Sequence, residues 1–288
     1  MDRVMSFVYG IIAHMGFLLV FLYLIGFLGN FAVPKSIDSS QTEPFGEALL
    51  IDLILVGLFA IQHSVMAREG FKRLWTKIVP RHIERSTYVL ISGLLLVLLI
   101  WQWRPMTGVI WDVEHPLGRL AFWGLFGSGW VMIILASFMT DHFDLSGTRQ
   151  VYLHLRGKDY SPLKFKGTGL YKYIRHPLML GWITAFWSTP RMTVGHLVFA
   201  VGTTAYILIA IQIEERDLLR FHGEVYENYR RQVSMLLPCK KGTLGDNLGR
   251  RKKKGISPKK LSSSGIHPLG LPNRAVAFKS FAFIFEAK

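Results

Sequence analysis

Cysteine is nearly absent: Cys239 is the only one in 288 residues. That excludes an intramolecular disulfide framework, a cysteine zinc cluster and a CxxC redox pair. Charge is scarce too. Asp, Glu, Lys and Arg make up 18% of the chain, against about 25% in a soluble domain. There is no HExxH, no P-loop and no GxSxG, and none of the ten histidines forms an i, i+4 pair. A helical metal site built on such a pair is therefore not expected, and no metal is assigned. One glycine-rich run, Gly124-Leu125-Phe126-Gly127-Ser128-Gly129, lies inside an uncharged stretch with no strand before it. It reads as small residues that let helices approach, not as a nucleotide loop.

What the chain has is apolar surface. Half the residues are apolar and the mean hydropathy is +0.30. Six stretches carry no Asp, Glu, Lys or Arg: 4–33, 53–67, 86–103, 120–140, 176–190 and 192–213. A membrane-spanning helix needs roughly 20 such residues to cross a hydrocarbon core of about 30 Å. The expected fold is all-α: a polytopic membrane bundle of five to six segments. The first stretch is too long for a signal-peptide core and is read as a helix. The fifth is short, since 15 residues rise only about 22 Å. It is expected either to pair with the sixth as a tight hairpin through Ser188-Thr189-Pro190-Arg191, or to be re-entrant. Asp52 falls near one interface, where it is expected to reach out to the headgroups.

Loop charge sets orientation. The 34–48 and 104–118 loops hold one basic residue each, Lys35 and Arg104. The 68–85 loop holds six, and the 141–175 loop holds seven, from Arg149 to Arg175. With a terminal hairpin, this alternation places both termini in the cytoplasm. The formal charge of +15 is unevenly spread, because residues 239–288 alone carry +10. That segment, with Arg250-Arg251-Lys252-Lys253-Lys254 and no periodicity, is expected to be a basic, disordered tail with no catalytic role. Its charge suits anionic membrane lipid and not nucleic acid. The membrane domain is taken as residues 1–238.

Four polar features fall on the predicted cytoplasmic side. The first is Tyr171-Lys172-Tyr173-Ile174-Arg175-His176-Pro177, followed by Leu180 and Gly181. Pro177 suits the first position of a helix, whose leading N–H groups lack intrahelical partners. With Arg175 beside them they form a candidate carboxylate or phosphate site, or simply a capped charged flank. The second is Glu214-Glu215, continuing through Phe221-His222-Gly223-Glu224-Val225-Tyr226 to Tyr229. Two acids at a helix C-terminus oppose its dipole and need a compensating partner. The third is His142-Phe143-Asp144-Leu145 with Arg149-Gln150. The fourth is Gln62-His63-Ser64 with Glu84-Arg85. Ionisable groups at membrane boundaries are functional candidates, although each of these also has an ordinary structural reading.

The order and spacing of Arg175-His176-Pro177, Gly181, Glu214-Glu215 and Phe-x-Gly-x-x-Tyr-x-x-Tyr resemble the cofactor region of integral-membrane methyltransferases. That group includes the isoprenylcysteine carboxyl and phospholipid methyltransferases. Phe59-Ala60-Ile61-Gln62-His63-Ser64, Glu84-Arg85-Ser86-Thr87-Tyr88 and His142-Phe143-Asp144-Leu145 resemble the nurim family, and within it the bacterial methanethiol S-methyltransferases. The likeness spans about residues 1–238 and implies S-adenosyl-L-methionine as methyl donor, a small thiol as acceptor and a bacterial inner-membrane location. It implies that Arg175 and the helix start at Pro177 meet the donor's carboxylate. Glu214 or Glu215 would meet its ammonium or ribose hydroxyls. Tyr173, His176, Leu180 and Gly181 would shape the adenosyl pocket. A thiol reacts as thiolate, so His142, His63 and Asp144 are the candidate bases or orienters. A lipid or prenylated cysteine acceptor, and a non-catalytic nurim-like membrane protein, remain alternatives. The sequence sets no oligomeric state.

Overall fold

The computed structural model describes residues 2–39, 44–161 and 169–238. The tail 239–288, and with it the basic segment and its expected disorder, lies outside the described residues. Within them the chain is mostly helical. Five helices are long and apolar enough to cross a membrane: α1 (Arg3–Gly29), α2 (Phe45–Met66), α4 (Arg81–Gln102), α5 (Pro116–Met139) and α9 (Val194–His222). Short helices α3 (Glu69–Trp75), α6 (His142–Leu145), α7 (Thr148–Leu155) and α10 (Glu224–Gln232) lie between or after them. The fifth apolar stretch becomes α8 (Pro177–Trp187), only 11 residues, or about 16 Å.

Helix starts follow local chemistry. Asp2 accepts the Arg3 N–H at 2.6 Å and Thr193 Oγ1 accepts the His196 N–H at 3.2 Å, relieving N–H groups that a helix start leaves unpaired. Pro116 and Pro177 occupy first turns, where no donor is needed. α1 ends at Asn30 in the left-handed region, its N–H bonded back to Gly26 O.

An aromatic core holds the bundle together. Phe21 meets Trp130 edge-on at 5.2 Å, and Trp130 meets Trp182 at 5.6 Å. The outer faces present Leu19, Ile61, Leu120 and Ile209, all well exposed, as suits helices facing lipid. α8 packs chiefly on α5, and the cause is a glycine crossing. A Cβ on Gly129 would lie 2.6 Å from Ala185 N, and one on Gly181 would lie 2.9 Å from Gly129 O. Gly129 thus fulfils the small-residue reading, whereas Gly124 and Gly127 have nothing within 4 Å of an added Cβ.

One small ribbon departs from an all-helical expectation. β1 (Val109–Asp112) pairs antiparallel with β2 (Arg191–Thr193), register Trp111↔Met192 and Asp112↔Arg191. Runs of four and three residues are too short to carry a readable alternation. The ribbon ties the α4–α5 and α8–α9 connections together, and Trp111 Nε1 donates to Thr189 O at 3.1 Å. At the same end Asp52 is fully buried and accepts the Arg104 N–H at 2.9 Å. It does not reach outward: a carboxylate that caps a backbone donor is better satisfied inside the bundle than at the rim.

All four polar features lie at the other end. Ser6 on α1 meets His82 on α4 at 3.0 Å, Arg68 after α2 pairs with Asp217 on α9 at 2.7 Å, and Arg85 donates to Leu145 O at 2.8 Å. The 68–85 segment, the 141–161 segment and the start of α1 therefore share one face, as the loop charges predict.

Candidate active site

α9 brings Glu214 and Glu215 to that face, and the chain entering α8 lies against them. Ile174 forms a parallel bridge with Ser234, while the Arg175 and His176 N–H groups donate to Ser234 O at 2.8 Å and Met235 O at 3.2 Å. The segment after α10 is thereby strapped to the entry of α8. Arg175 reinforces the strap: Nη1 donates to Arg230 O at 3.0 Å and Val233 O at 2.6 Å, and Nε donates to Glu215 Oε1 at 2.7 Å. Its guanidinium thus binds protein groups around Glu215. The neighbouring Tyr229 hydroxyl donates to Tyr171 O at 2.7 Å.

His176 is nearly fully buried beneath this strap. Burial pushes its pKa below the usual histidine range, and the hydrogen bond with Glu215 opposes that only in part. A neutral His176 facing a carboxylate must donate from Nε2, which lies 3.0 Å from Glu215 Oε1. Nδ1 is then an acceptor, and it faces Glu214 Oε2 at 3.7 Å. Among the described residues neither His176 Nδ1 nor Glu214 Oε1 has a hydrogen-bond donor. Glu214 itself is only 6% exposed. Two buried acceptors side by side are costly unless a donor comes between them. Tyr171 and Tyr226 close the cluster; burial first and the adjacent acids second raise both phenols, so they stay protonated.

The other assigned residues fall in three places. Tyr173 is 66% exposed and lies off the cluster, and Leu180 is half-buried on α8 with its N–H bonded to His176 O at 3.0 Å. Gly181 serves the α5–α8 crossing. Asp144 is buried at a clamp: its carboxylate accepts from Arg149 at 3.0 Å, Tyr160 at 3.1 Å and Gln150 at 3.3 Å. Gly147 opens that clamp with a left-handed φ of 86°, and a Cβ there would meet Ser86 N at 2.6 Å. His142 packs edge-on to His14 of α1 at 5.1 Å and touches Ser137 Oγ at 3.3 Å. Burial lowers its pKa, against the pull of Asp141.

His63 sits separately between α2, α4 and α9. Its Nε2 is 2.9 Å from the Tyr88 hydroxyl and its Nδ1 is 3.4 Å from Ser92 Oγ. Phe59 stacks on it and Tyr206 stands edge-on at 6.5 Å. Sequence reading did not single out Ser92 or the hydroxyl of Tyr88. Tyr88 entered only within the nurim-like motif and was given no role, and the spacing of four that sets Ser92 on the same helix face was the remaining hint.

The fold and site define an integral-membrane helical protein with a buried acceptor pair at one membrane face. No family model and no solved structure matches the chain. It is 54% identical over 238 residues to a methanethiol S-methyltransferase of Mycobacterium tuberculosis, covering 83% of this chain and 98% of that protein. A methanethiol S-methyltransferase of Crocosphaera subtropica is 53% identical over 238 residues, covering 83% and 93%. Nurim of Mus musculus is 31% identical over 180 residues, covering 59% and 68%. The chain belongs to the methanethiol S-methyltransferase family, and is a membrane methyltransferase by that membership.

Proposed function

We propose that the protein methylates methanethiol to dimethyl sulfide with S-adenosyl-L-methionine as donor. The single observation that carries the donor assignment is the acceptor pair, Glu214 Oε1 and His176 Nδ1, buried and without a donor among the described residues. An ammonium or ribose hydroxyl meets both demands, so the residues fit this cofactor. When bound, it supplies an electrophilic methyl group on a sulfonium sulfur. Glu214 and His176 hold its N–H or O–H donors. The N–H groups opening α8 after Pro177 suit its carboxylate, and Glu215 with Arg175 fixes His176 in the required tautomer.

Of the three candidate bases we assign His63. Asp144 already accepts from Arg149, Tyr160 and Gln150, and His142 faces another histidine. We further infer that α8 and α9 form a short hairpin, supported by the Trp187 donation to Thr204 at 2.9 Å and the His196–Phe186 O contact at 2.9 Å. Loop charge supports a bacterial inner-membrane protein with both termini cytoplasmic and lipid around its outer faces. Residues 1–238 are taken to carry the activity and 239–288 none.

The test is S-adenosylmethionine binding to the purified protein in detergent, followed by headspace detection of dimethyl sulfide after adding methanethiol. Donor binding with methylation only of a lipid or prenylated cysteine would replace the acceptor. Absence of donor binding would remove the enzyme reading.

A further inference from the structure

The polar chain around His63 has a direction. Ser92 Oγ donates to Gln62 Oε1 at 3.3 Å, and Gln62 Nε2 points at Met66 Sδ at 3.0 Å. With its hydrogen given to Gln62, Ser92 can only accept from His63, so His63 carries its proton on Nδ1. Nε2 is then a lone pair, and the Tyr88 hydroxyl, 2.9 Å from it and 3.3 Å from the His63 carbonyl oxygen, shares its one hydrogen between the two acceptors, with Nε2 the nearer. The Arg85 guanidinium stands 5.2 Å from the Tyr88 ring centroid, held by its bond to Leu145 O at 2.8 Å. Tyr206 on α9 borders His63, and Glu214 lies two turns further along the same helix, about 12 Å by helix rise.

We infer that Tyr88 is a catalytic residue that carries the thiol's proton to His63, with Ser92 and Gln62 as positioning residues; this rests on the thiol methylation proposed above. The S–H bond of the acceptor breaks as its proton passes to the Tyr88 oxygen. The Tyr88 proton moves in the same event to His63 Nε2. The bonding pair stays on sulfur as thiolate, and His63 becomes an imidazolium whose Nδ1–H remains on Ser92. The Arg85 guanidinium, 5.2 Å from the Tyr88 ring centroid, would attract negative charge formed beside Tyr88. His63 returns its proton to solvent after turnover. A phenol between thiol and imidazole suits this place, since a hydroxyl both gives and takes a proton while a phenylalanine does neither.

The full chain in detergent tests this with Tyr88→Phe, Ser92→Ala and His63→Gln. Tyr88→Phe should lower kcat/KM for methanethiol about 100-fold near neutral pH. The deficit should shrink at least tenfold as the pH is raised toward about 10, where the substrate supplies its own thiolate. S-adenosylmethionine affinity, read by calorimetry, should be unchanged. In histidine-labelled protein, nitrogen shifts should show His63 as the Nδ1–H tautomer, and Ser92→Ala should move it toward Nε2–H. Wild-type kcat/KM in Tyr88→Phe at every pH overturns the relay. So does a deficit constant with pH, which marks a packing role. Should Tyr88→Phe not fold, Ser92→Ala reads the same chain: an unshifted tautomer and unchanged pH profile overturn it. Donor binding without turnover of any thiol by the wild type refutes the proposed function itself, a result distinct from these.

Discussion

Replacing Glu215 by Ala should unfold the protein more readily, not merely empty its site. The Arg175 and Glu215 side chains are 5% and 8% exposed and meet at 2.7 Å. Removing the carboxylate leaves a buried guanidinium without its counter-charge, a loss of about 3–5 kcal/mol. For a protein of this size that corresponds to a fall in melting midpoint on the order of 10 °C. Glu215→Gln keeps an oxygen for Arg175 Nε but loses the charge, and should cost about 1–2 kcal/mol. Adding Arg175→Met to Glu215→Ala removes the orphan charge, so the double variant should fall short of the summed single effects by at least about 2 kcal/mol. The assay is tryptophan fluorescence on heating in one detergent at one scan rate, because membrane proteins often unfold irreversibly. A Glu215→Ala protein that melts with the wild type, or single effects that simply add, would refute the argument that this pair fastens the strap over His176.

Glu214→Gln should leave the melting midpoint of the donor-free protein intact and weaken S-adenosylmethionine roughly 10- to 100-fold by calorimetry, the worth of one hydrogen bond to a charged group. The product S-adenosylhomocysteine should raise the melting midpoint about as much as the donor at equal saturation, since His176 Nδ1 and Glu214 take N–H or O–H donors that both molecules own; no shift with the product would mean that the sulfonium is what the acids hold. Gly129→Val should lower the melting midpoint through α5–α8 separation by about 1–3 kcal/mol or more, with Gly124→Val as the silent comparison. His176 has its folded pKa lowered by burial, so the unfolded chain binds the extra proton. Its contribution is complete above the unfolded value of about 6.5 and is lost as pH falls toward the lower folded value. The wild-type midpoint should therefore drop between about pH 7 and 5, and His176→Asn should flatten that slope.

The spans were legible because a hydrocarbon environment tolerates few charges: each uncharged stretch of sufficient length became a helix, and Pro177 marked one start. Residues 176–190 show the limit. Composition cannot say how much of an apolar run is helix, and the structure gives α8 only Pro177–Trp187. The β1–β2 ribbon was invisible since its pairing is between segments about 80 residues apart with no turn signal to join them. Asp52 lies at the expected end, but that it turns inward was hidden for a similar reason. Its partner is a backbone N–H at Arg104, which no side-chain pattern announces.

At the site, residue type was readable and division of labour was not. Arg175, His176, Glu214 and Glu215 do converge, but which of them faces a ligand depends on which are already paired. Arg175 was the natural choice for a carboxylate, yet the carbonyls of Arg230 and Val233 claim it. Those carbonyls come from the C-terminal end of α10, and main-chain acceptors have no sequence signature. On the function proposed above, the pair Arg175–Glu215 would build the wall, while Glu214 and His176 would keep the ligand-facing places expected of them. The C-terminal part of α9 makes this arrangement coherent. Both glutamates are buried two turns before its end, so they are stable only where positive charge or donors surround them. Arg175 supplies that for Glu215 and, more remotely, Arg68 on Asp217 supplies it for the next turn. On the donor site proposed above, Glu214 is the position that a cationic ligand would complete.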